Sequence, residues 1–106
     1  MGPAWAAMEA MSRAFSAELG PHGIRAVCLR TTGMPETRQI EVVFEIHAKA
    51  YGITREQFQG MIEANTHRQR STSLAEMAEV AAFIASDRAS AMTGTVANLT
   101  GGLIVD

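Results

Sequence analysis

The chain has 106 residues, 47% of them apolar and 19% charged, so it has room for one compact domain and is too apolar for a disordered protein. Nine basic and eleven acidic residues give a formal net charge of -2, and the basic residues are scattered, which argues against nucleic acid as a partner. No apolar run reaches the roughly 20 residues that span a bilayer, and the N-terminus lacks the features of a signal peptide, so we expect no membrane partner and a cytoplasmic location.

The first predicted element is an amphipathic helix over residues 3–19. Its large apolar residues recur at spacings of three and four: Trp5, Met8, Met11, Phe15 and Leu19. The rest of its surface is rich in alanine, which lets another helix approach closely. Trp5 either stacks on a ligand or partner or makes a core or helix contact, and the second role is the commoner one for a residue on such a stripe.

A strand is predicted over residues 24–29, after the turn at Gly20-Pro21. The run contains small and branched apolar residues, which indicates a strand buried on both faces, as in a parallel sheet. Cys28, the one cysteine of the chain, fits this strand as a small buried thiol and cannot form an intrachain disulfide. The strand is expected to end at Thr31-Thr32-Gly33.

Two helices are predicted between residues 35 and 64. The first runs to Tyr51, with Pro35 suited to its first turn. The second follows Gly52, where Thr54 and Gln57 have the spacing of a capping box.

The clearest helix is predicted after a second capping box. Ser73 and Glu76 precede an apolar stripe that ends near Ser86. A short strand follows over Thr95–Leu99, and the apolar tail 103–105 is expected to dock. The order helix, strand, helices, strand predicts a single α/β domain over residues 1–106, with parallel strands joined by a right-handed crossover.

The remaining polar side chains form no pattern typical of catalysis or metal binding. His22, His47 and His67 lack the paired spacing or cysteine partners of a metal site, so no metal is expected. Two carboxylate pairs are expected to face water from helix surfaces: Glu41 with Glu45, and Glu76 with Glu79. No residue is assigned a catalytic role.

Several short segments match motifs of one family in order and spacing. Glu18-Leu-Gly-Pro-His-Gly-Ile-Arg25 is similar to a Glu-Leu-Gly helix end followed by a Gly-Ile-Arg-Val strand. The family motif Pro-Glu-Glu-Val-Ala is similar to Leu74–Ala78, and the motif Phe-Leu-Ala-Ser-Asp is similar to Phe83–Asp87. The family motif Val-Asp-Gly-Gly is similar to the last four residues of Thr93–Gly102. Together they resemble the C-terminal half of a short-chain dehydrogenase/reductase.

This resemblance implies the C-terminal part of a Rossmann-like, doubly wound parallel sheet, incomplete without a partner. Residues 35–64 then correspond to variable helices of the substrate lobe. The implied family activity is NAD(P)-dependent oxidoreduction of a carbonyl or alcohol. The family's Gly-rich turn for the pyrophosphate has no counterpart in the sequence, so we expect a truncated chain that binds no cofactor tightly.

The resemblance also assigns a vestigial cofactor site and an incomplete active site. The family's cofactor loop falls on Thr31, Thr32 and Gly33, and its cofactor-approaching threonine on Thr37; the alternative is that these residues only end a strand and cap a helix. The catalytic tyrosine and lysine positions are Met1 and Trp5, which cannot act as the acid and its activating cation. We therefore expect no activity from the chain alone.

Self-association is expected from the unpaired sheet edge and the uncovered helix face. By resemblance, a homodimer or larger assembly would form through helix 3–19 and the C-terminal strand, with Ala10, Ala14 and Phe15 near an interface. The alternative function is a stand-alone module that self-associates or binds a small ligand.

Overall fold

A computed structural model describes residues 2–106 of the chain. Its helices and strands are α1 Gly2–Leu19, β1 Val27–Thr31, α2 Arg38–Tyr51, α3 Arg55–Ala64, α4 Leu74–Ala85 and β2 Thr95–Leu99. The strands β1 and β2 pair in parallel, which confirms the predicted α/β fold. None of the helices over this range has the length and apolar character needed to cross a membrane.

The chain separates into two compact units, of which the first comprises the chain up to Arg30 together with Glu79–Ala97. In this unit α1 ends at Leu19, and a 3₁₀ turn over Gly20–His22 leads to Gly23 in a left-handed conformation (φ 76°). Glycine takes this conformation without the steric cost that other residues incur, so the turn reverses the chain cleanly.

Thr93 connects α1 to the segment that precedes β1 in the first unit. Its hydroxyl oxygen lies 2.7 Å from the Ser16 hydroxyl on α1 and accepts a hydrogen bond from the Ala26 amide at 3.1 Å. The next residue, Gly94, donates its amide to the Ala26 carbonyl at 2.9 Å. A side chain at Gly94 would bring a Cβ within 3.0 Å of the Ser16 hydroxyl oxygen, so this close approach requires glycine.

An ion pair connects α1 to β1 in the same unit. The Arg30 Nε donates to Glu9 Oε1 at 2.8 Å, and the Arg30 Nη2 donates to Glu9 Oε2 at 3.2 Å. A bidentate ion pair of this kind fixes the relative orientation of the guanidinium and the carboxylate, in addition to the attraction between their charges.

The second unit comprises Thr31–Ala78 and Asn98–Asp106. In it α2 and α3 form a helical hairpin, in which Gly52 ends α2 in a left-handed conformation (φ 67°). Thr54 accepts from the Gln57 amide, and the Gln57 side chain accepts from the Thr54 amide, which confirms the predicted capping box.

Aromatic rings pack the hairpin together. The Phe58 ring on α3 meets Phe44 edge to face at a centroid distance of 5.4 Å. It also stacks against His47 at 5.5 Å and Tyr51 at 6.2 Å. Phe44 is only 5% exposed and forms, with Ala48, the buried part of α2. The spacing of three and four along α2 thus directs one apolar stripe toward α3.

Hydrogen bonds made by the side chains of Asn98 and Thr100 hold the C-terminal tail of the second unit. The Asn98 side chain accepts from the Thr100 amide and hydroxyl and donates to the Ile104 carbonyl at 2.7 Å. The Thr100 hydroxyl accepts in turn from the Ile104 amide at 3.1 Å. The tail is therefore held by its backbone, while the side chains of Leu103, Ile104 and Val105 stay 40–68% exposed instead of docking as expected.

The apolar core is small. Among residues 2–106 the buried apolar side chains are Phe44, Ala48 and Ala89. Every residue of β1, Cys28 included, is half-buried. The prediction of a strand buried on both faces is wrong for these residues, because the faces of this two-stranded sheet are only partly covered by residues 2–106. The expectation of one domain over residues 1–106 stays a prediction.

Two element boundaries differ from the sequence predictions. The strand predicted over residues 24–29 is observed at Val27–Thr31, since the Ala26 amide is bonded to the Thr93 hydroxyl instead of a strand. The helix predicted from Pro35 begins at Arg38, because Thr37 is the residue that caps it. By contrast, β2 lies where it was predicted.

Candidate functional site

The structure brings the four predicted cofactor residues together on one connection between β1 and α2, the segment 31–37. Thr31 is the last residue of β1, and Thr37 is the N-cap of α2. In α/β proteins, ligands bind where parallel strands end at their carboxyl side. The position of this loop therefore suits a binding site.

Gly33 allows the loop to pack closely on α2. A Cβ at this position would lie 3.1 Å from Ile40 Cδ1 and 3.3 Å from Phe44 Cζ. These contacts are tighter than ordinary van der Waals contact, so a side chain here would push the loop away from the helix.

Two of the three loop hydroxyls are bonded within the loop. Thr37 donates to the Met34 carbonyl at 2.9 Å and accepts from the Ile40 amide at 3.4 Å, which is the geometry of an N-cap. Thr31 donates to the carbonyl of Thr32 at 3.2 Å. For these two residues the structure shows the roles named in the alternative, ending a strand and capping a helix.

Thr32 differs from its neighbours. The residue is 9% exposed, and its buried hydroxyl has no hydrogen-bond partner among residues 2–106. Buried polar atoms are nearly always bonded, and an orphan at a loop of this kind indicates a missing partner.

Two side chains hold the loop from outside. Arg55 on α3 donates from Nη2 to the Pro35 carbonyl at 3.2 Å, and its buried Nε has no hydrogen-bond partner within residues 2–106. The Glu36 carboxylate accepts from the Leu74 amide at 2.7 Å. The loop is thus fixed at two successive residues before any ligand arrives.

Glu76 lies in a cluster that the sequence analysis missed. It was expected simply to face water, but its carboxylate accepts from Arg68 Nη1 at 2.6 Å, from Arg70 Nη2 at 3.0 Å and from the Ser73 amide at 3.0 Å. The bond from Arg68 contributes most to holding the pKa of Glu76 well below its usual range. The Glu76 amide donates to the Ser73 hydroxyl at 3.0 Å, which confirms the second capping box.

The positions assigned to catalysis offer no acid or base. Trp5 is 57% exposed, so among residues 2–106 it is not the core residue that was expected as one of its roles. Met1 lies outside the described residues. Of the histidines, His47 stacks on Phe58, and His22 belongs to the 3₁₀ turn after α1. Over residues 2–106 no three His, Cys, Asp or Glu side chains come together as metal ligands.

Comparison with known proteins decides the family. A family model described as enoyl-(acyl carrier protein) reductase matches residues 1–104. The chain belongs to the short-chain dehydrogenase/reductase family. None of the curated protein sequences matches it.

Solved short-chain dehydrogenases share the fold. A short-chain dehydrogenase family protein from Francisella tularensis superposes with a TM-score of 0.85 at 23% identity, covering 92% of this chain and 40% of its own. Sorbitol-6-phosphate 2-dehydrogenase from Erwinia amylovora gives 0.84 at 22% identity, covering 92% and 38%. An NADPH-dependent reductase involved in bacilysin biosynthesis gives 0.82 at 29% identity, covering 95% and 38%. The chain spans about two fifths of the length of these dehydrogenases.

The loop fits one end of the cofactor that the family implies. A nicotinamide carboxamide carries both an acceptor and donors, which are what the orphaned Thr32 hydroxyl lacks. Thr37, the other residue assigned to the cofactor, already uses its hydroxyl in both directions. On α1, the indole of Trp5 does not fit the role of a cation beside the ribose.

Proposed function

We propose that this chain forms the cofactor-loop and substrate-lobe part of an NAD(P)-dependent short-chain dehydrogenase and is inactive by itself. The observation that carries the proposal is the loop 31–37, which ends a parallel strand and presents a buried, unpartnered hydroxyl at Thr32. The family activity is oxidoreduction of a carbonyl or alcohol. The cytoplasmic location expected from the sequence remains part of the proposal.

The residues of the second unit would bind and orient rather than react. Thr32 would hold the carboxamide, and Gly33 would keep the loop close to α2. The hairpin of α2 and α3 would form a wall for the substrate. When bound, NAD(P)H supplies the hydride. One solved relative, 29% identical, is an NADPH-dependent reductase, which supports a nicotinamide cofactor.

The proposal of inactivity depends on α1. The family's acid is a tyrosine whose pKa a lysine lowers, and those positions are Met1 and Trp5. An indole carries no positive charge, so it cannot lower the pKa of a proton donor or pair with a ribose. Without the proton donor, a carbonyl oxygen that gains negative charge during hydride transfer has no partner.

The test is NADPH and NADH oxidation by the purified chain with a panel of aldehydes and ketones. We expect no oxidation above the rate without protein, while an intact short-chain dehydrogenase serves as the positive control. Trp5→Lys is the matched variant; it restores the cation without the tyrosine, so it too is expected to be inactive. Turnover by the wild-type chain would contradict the proposal.

A second candidate function, a self-associating module, is favoured by one specific observation. None of the 18 residues of α1 is buried. Its apolar stripe includes Trp5, Met8, Met11 and Phe15, which are 46–61% exposed. Exposed apolar surface of this kind marks interaction sites. The proposed occupant is a second copy of the chain, and the exposed tail 103–105 would give a further contact.

Sedimentation velocity over a concentration series tests this candidate. The wild-type chain should shift from monomer to dimer as its concentration rises, and Phe15→Glu should remain monomeric because it buries a charge in the contact. Arg13→Glu is the control, since residues two apart lie on nearly opposite sides of a helix. A concentration-independent monomer would exclude self-association through α1.

A further inference from the structure

The edge of β1 that faces away from β2 is open over residues 2–106. The sheet has two strands, and β2 is the one strand that pairs with β1 within that range. Every residue of β1 is half-buried, so the helices do not enclose the strand. An open edge carries a row of backbone N–H and C=O groups without strand partners, which is a template for pairing with another strand.

The opposite edge of the sheet, that of β2, is less available. The Leu99 carbonyl at the end of β2 accepts from the Thr72 hydroxyl at 2.6 Å. The neighbouring Asn98 side chain donates to the Ile104 carbonyl, so the tail folds back beside the end of β2. Of the two edges, that of β1 is therefore the better placed to receive a further strand.

The charge on β1 does not oppose pairing with an identical strand. Arg30 is the one charged residue of the strand, whose sequence is Val-Cys-Leu-Arg-Thr. Its guanidinium forms the bidentate ion pair with Glu9. The two side chains are 19% and 23% exposed, so solvent screens the pair only in part. Charged side chains at a sheet edge keep like edges apart, but here each copy neutralises its own charge.

We propose that β1 pairs antiparallel with β1 of a second copy of the chain, so that two copies form one four-stranded sheet in the order β2-β1-β1-β2. The inference rests on the second candidate function, self-association, and adds the sheet edge to the contact through α1. Antiparallel pairing of identical strands is two-fold symmetric, so each β1 edge covers the other and the assembly closes as a dimer.

The ion pair connects this pairing to the exposed stripe of α1. The Arg30 side chain projects from one face of the sheet, and its bond to Glu9 places α1 on that face. A two-fold axis perpendicular to the sheet keeps both copies of α1 on the same face. Their exposed stripes then approach each other across the paired β1 strands, so Phe15→Glu opposes the same dimer without altering the backbone of β1.

Hydrogen exchange of the β1 amides tests the pairing in the wild-type chain. Alternate residues of a strand direct their amides away from the neighbouring strand, and in a monomer these amides of β1 exchange rapidly. NMR follows each amide as the chain concentration is raised. We expect exchange to slow about tenfold once about nine chains in ten are dimeric, because it then proceeds through the remaining monomer. The amides of α3 are the control and should change little.

Charge reversal tests the role of the ion pair. Glu9→Lys leaves two positive charges beside each β1, and these repel the charges of the second copy. The dissociation constant of the dimer should rise about three- to tenfold at low salt. Glu18→Lys, the same change near the C-terminal end of α1, is the matched control and should dimerise as the wild type does. Glu9→Lys combined with Arg30→Glu restores a neutral pair and should restore the wild-type dissociation constant in sedimentation velocity.

The contrary outcomes are distinct from one another. If a dimer forms while the β1 amides exchange at one rate at every concentration, the β1 pairing is wrong and self-association through α1 stands. If Glu9→Lys and Glu18→Lys weaken the dimer equally, the overall charge governs association and the inference is wrong. If the chain is a monomer at every concentration, the inference and the second candidate function fail together, and the proposed cofactor role is unaffected.

Discussion

The Arg25 guanidinium caps the C-terminal end of α4, because its Nη2 donates to the carbonyl of Ile84 at 2.8 Å. The same nitrogen reaches the Ser86 carbonyl at 3.1 Å, and Nη1 reaches the Met92 carbonyl at 3.3 Å. The last carbonyls of a helix have no partner inside the helix, and a cation at that end also complements the helix dipole. One side chain therefore satisfies several backbone groups within the first unit.

Replacing Arg25 by Met should destabilise the chain. The variant keeps the apolar stem but removes the donor to the Ile84 carbonyl, while the Ser86 carbonyl keeps the bond from the Ala89 amide, and the cost is about 2 kcal/mol in the free energy of unfolding. Urea denaturation followed by circular dichroism measures the change. Arg13→Met, at an exposed arginine of α1, is the control and should change stability little; an equal loss in both variants would refute the capping role.

Glu76 should make stability depend on pH. Its folded-state pKa lies below the ordinary value of 4.5, so its contribution is present above that value and is lost as the pH falls through the acid range. Glu76→Gln should therefore flatten the curve of thermal midpoint against pH between about pH 5 and pH 2. Glu79→Gln, at an exposed position on the same helix, should keep the wild-type slope. Some slope should remain in Glu76→Gln because hydrogen bonds from Gln59 and Ser71 also lower the pKa of Glu63.

Two glycines should respond in opposite directions to alanine. Gly102 has a φ of 90°, and an added Cβ would overlap the His67 side chain, so Gly102→Ala should cost more than about 2 kcal/mol. Gly60 lies inside α3 with nothing near its Cβ position, so Gly60→Ala should stabilise by about 1 kcal/mol. Chemical denaturation of the two variants in parallel gives both values, and a stable Gly102→Ala chain would contradict the described turn.

Thr37→Val should weaken the start of α2. It removes the N-cap hydroxyl that accepts from the Ile40 amide, at a cost of about 1 kcal/mol. Thr37→Ser should retain the wild-type stability because serine caps as well. Hydrogen exchange of the first-turn amides of α2 locates the effect; unchanged protection in Thr37→Val would show that the cap is not used.

Local patterns predicted the helices and one strand well. The capping boxes of Thr54 and Ser73 depend on residues three positions away, which a sequence window contains. The start of β1 depends instead on Thr93, which lies 67 residues from Ala26, and no local pattern shows that contact. The burial of β1 was overestimated because burial depends on which residues, distant in sequence, cover the faces of the sheet. The apolar character of the strand itself does not show this.

The candidate site was predicted as a group of residues but not in its details. The family motif pointed to Thr31, Thr32, Gly33 and Thr37, and the structure places them on one loop. Which hydroxyl is bonded depends on the path of the backbone near Met34, which the motif does not encode. The pairing of Arg68 and Arg70 with Glu76 was missed because these spacings of eight and six residues lie outside the helical rules.

Trp5 also gives the protein a built-in optical reporter. It is the only tryptophan in the chain, and its indole is 57% exposed on α1. Indole fluorescence moves to shorter wavelengths when water is excluded from the ring, so the emission spectrum reports on the covering of this one helix. Any partner that covers α1, whether a second copy or another polypeptide, can therefore be followed in real time without attaching a dye.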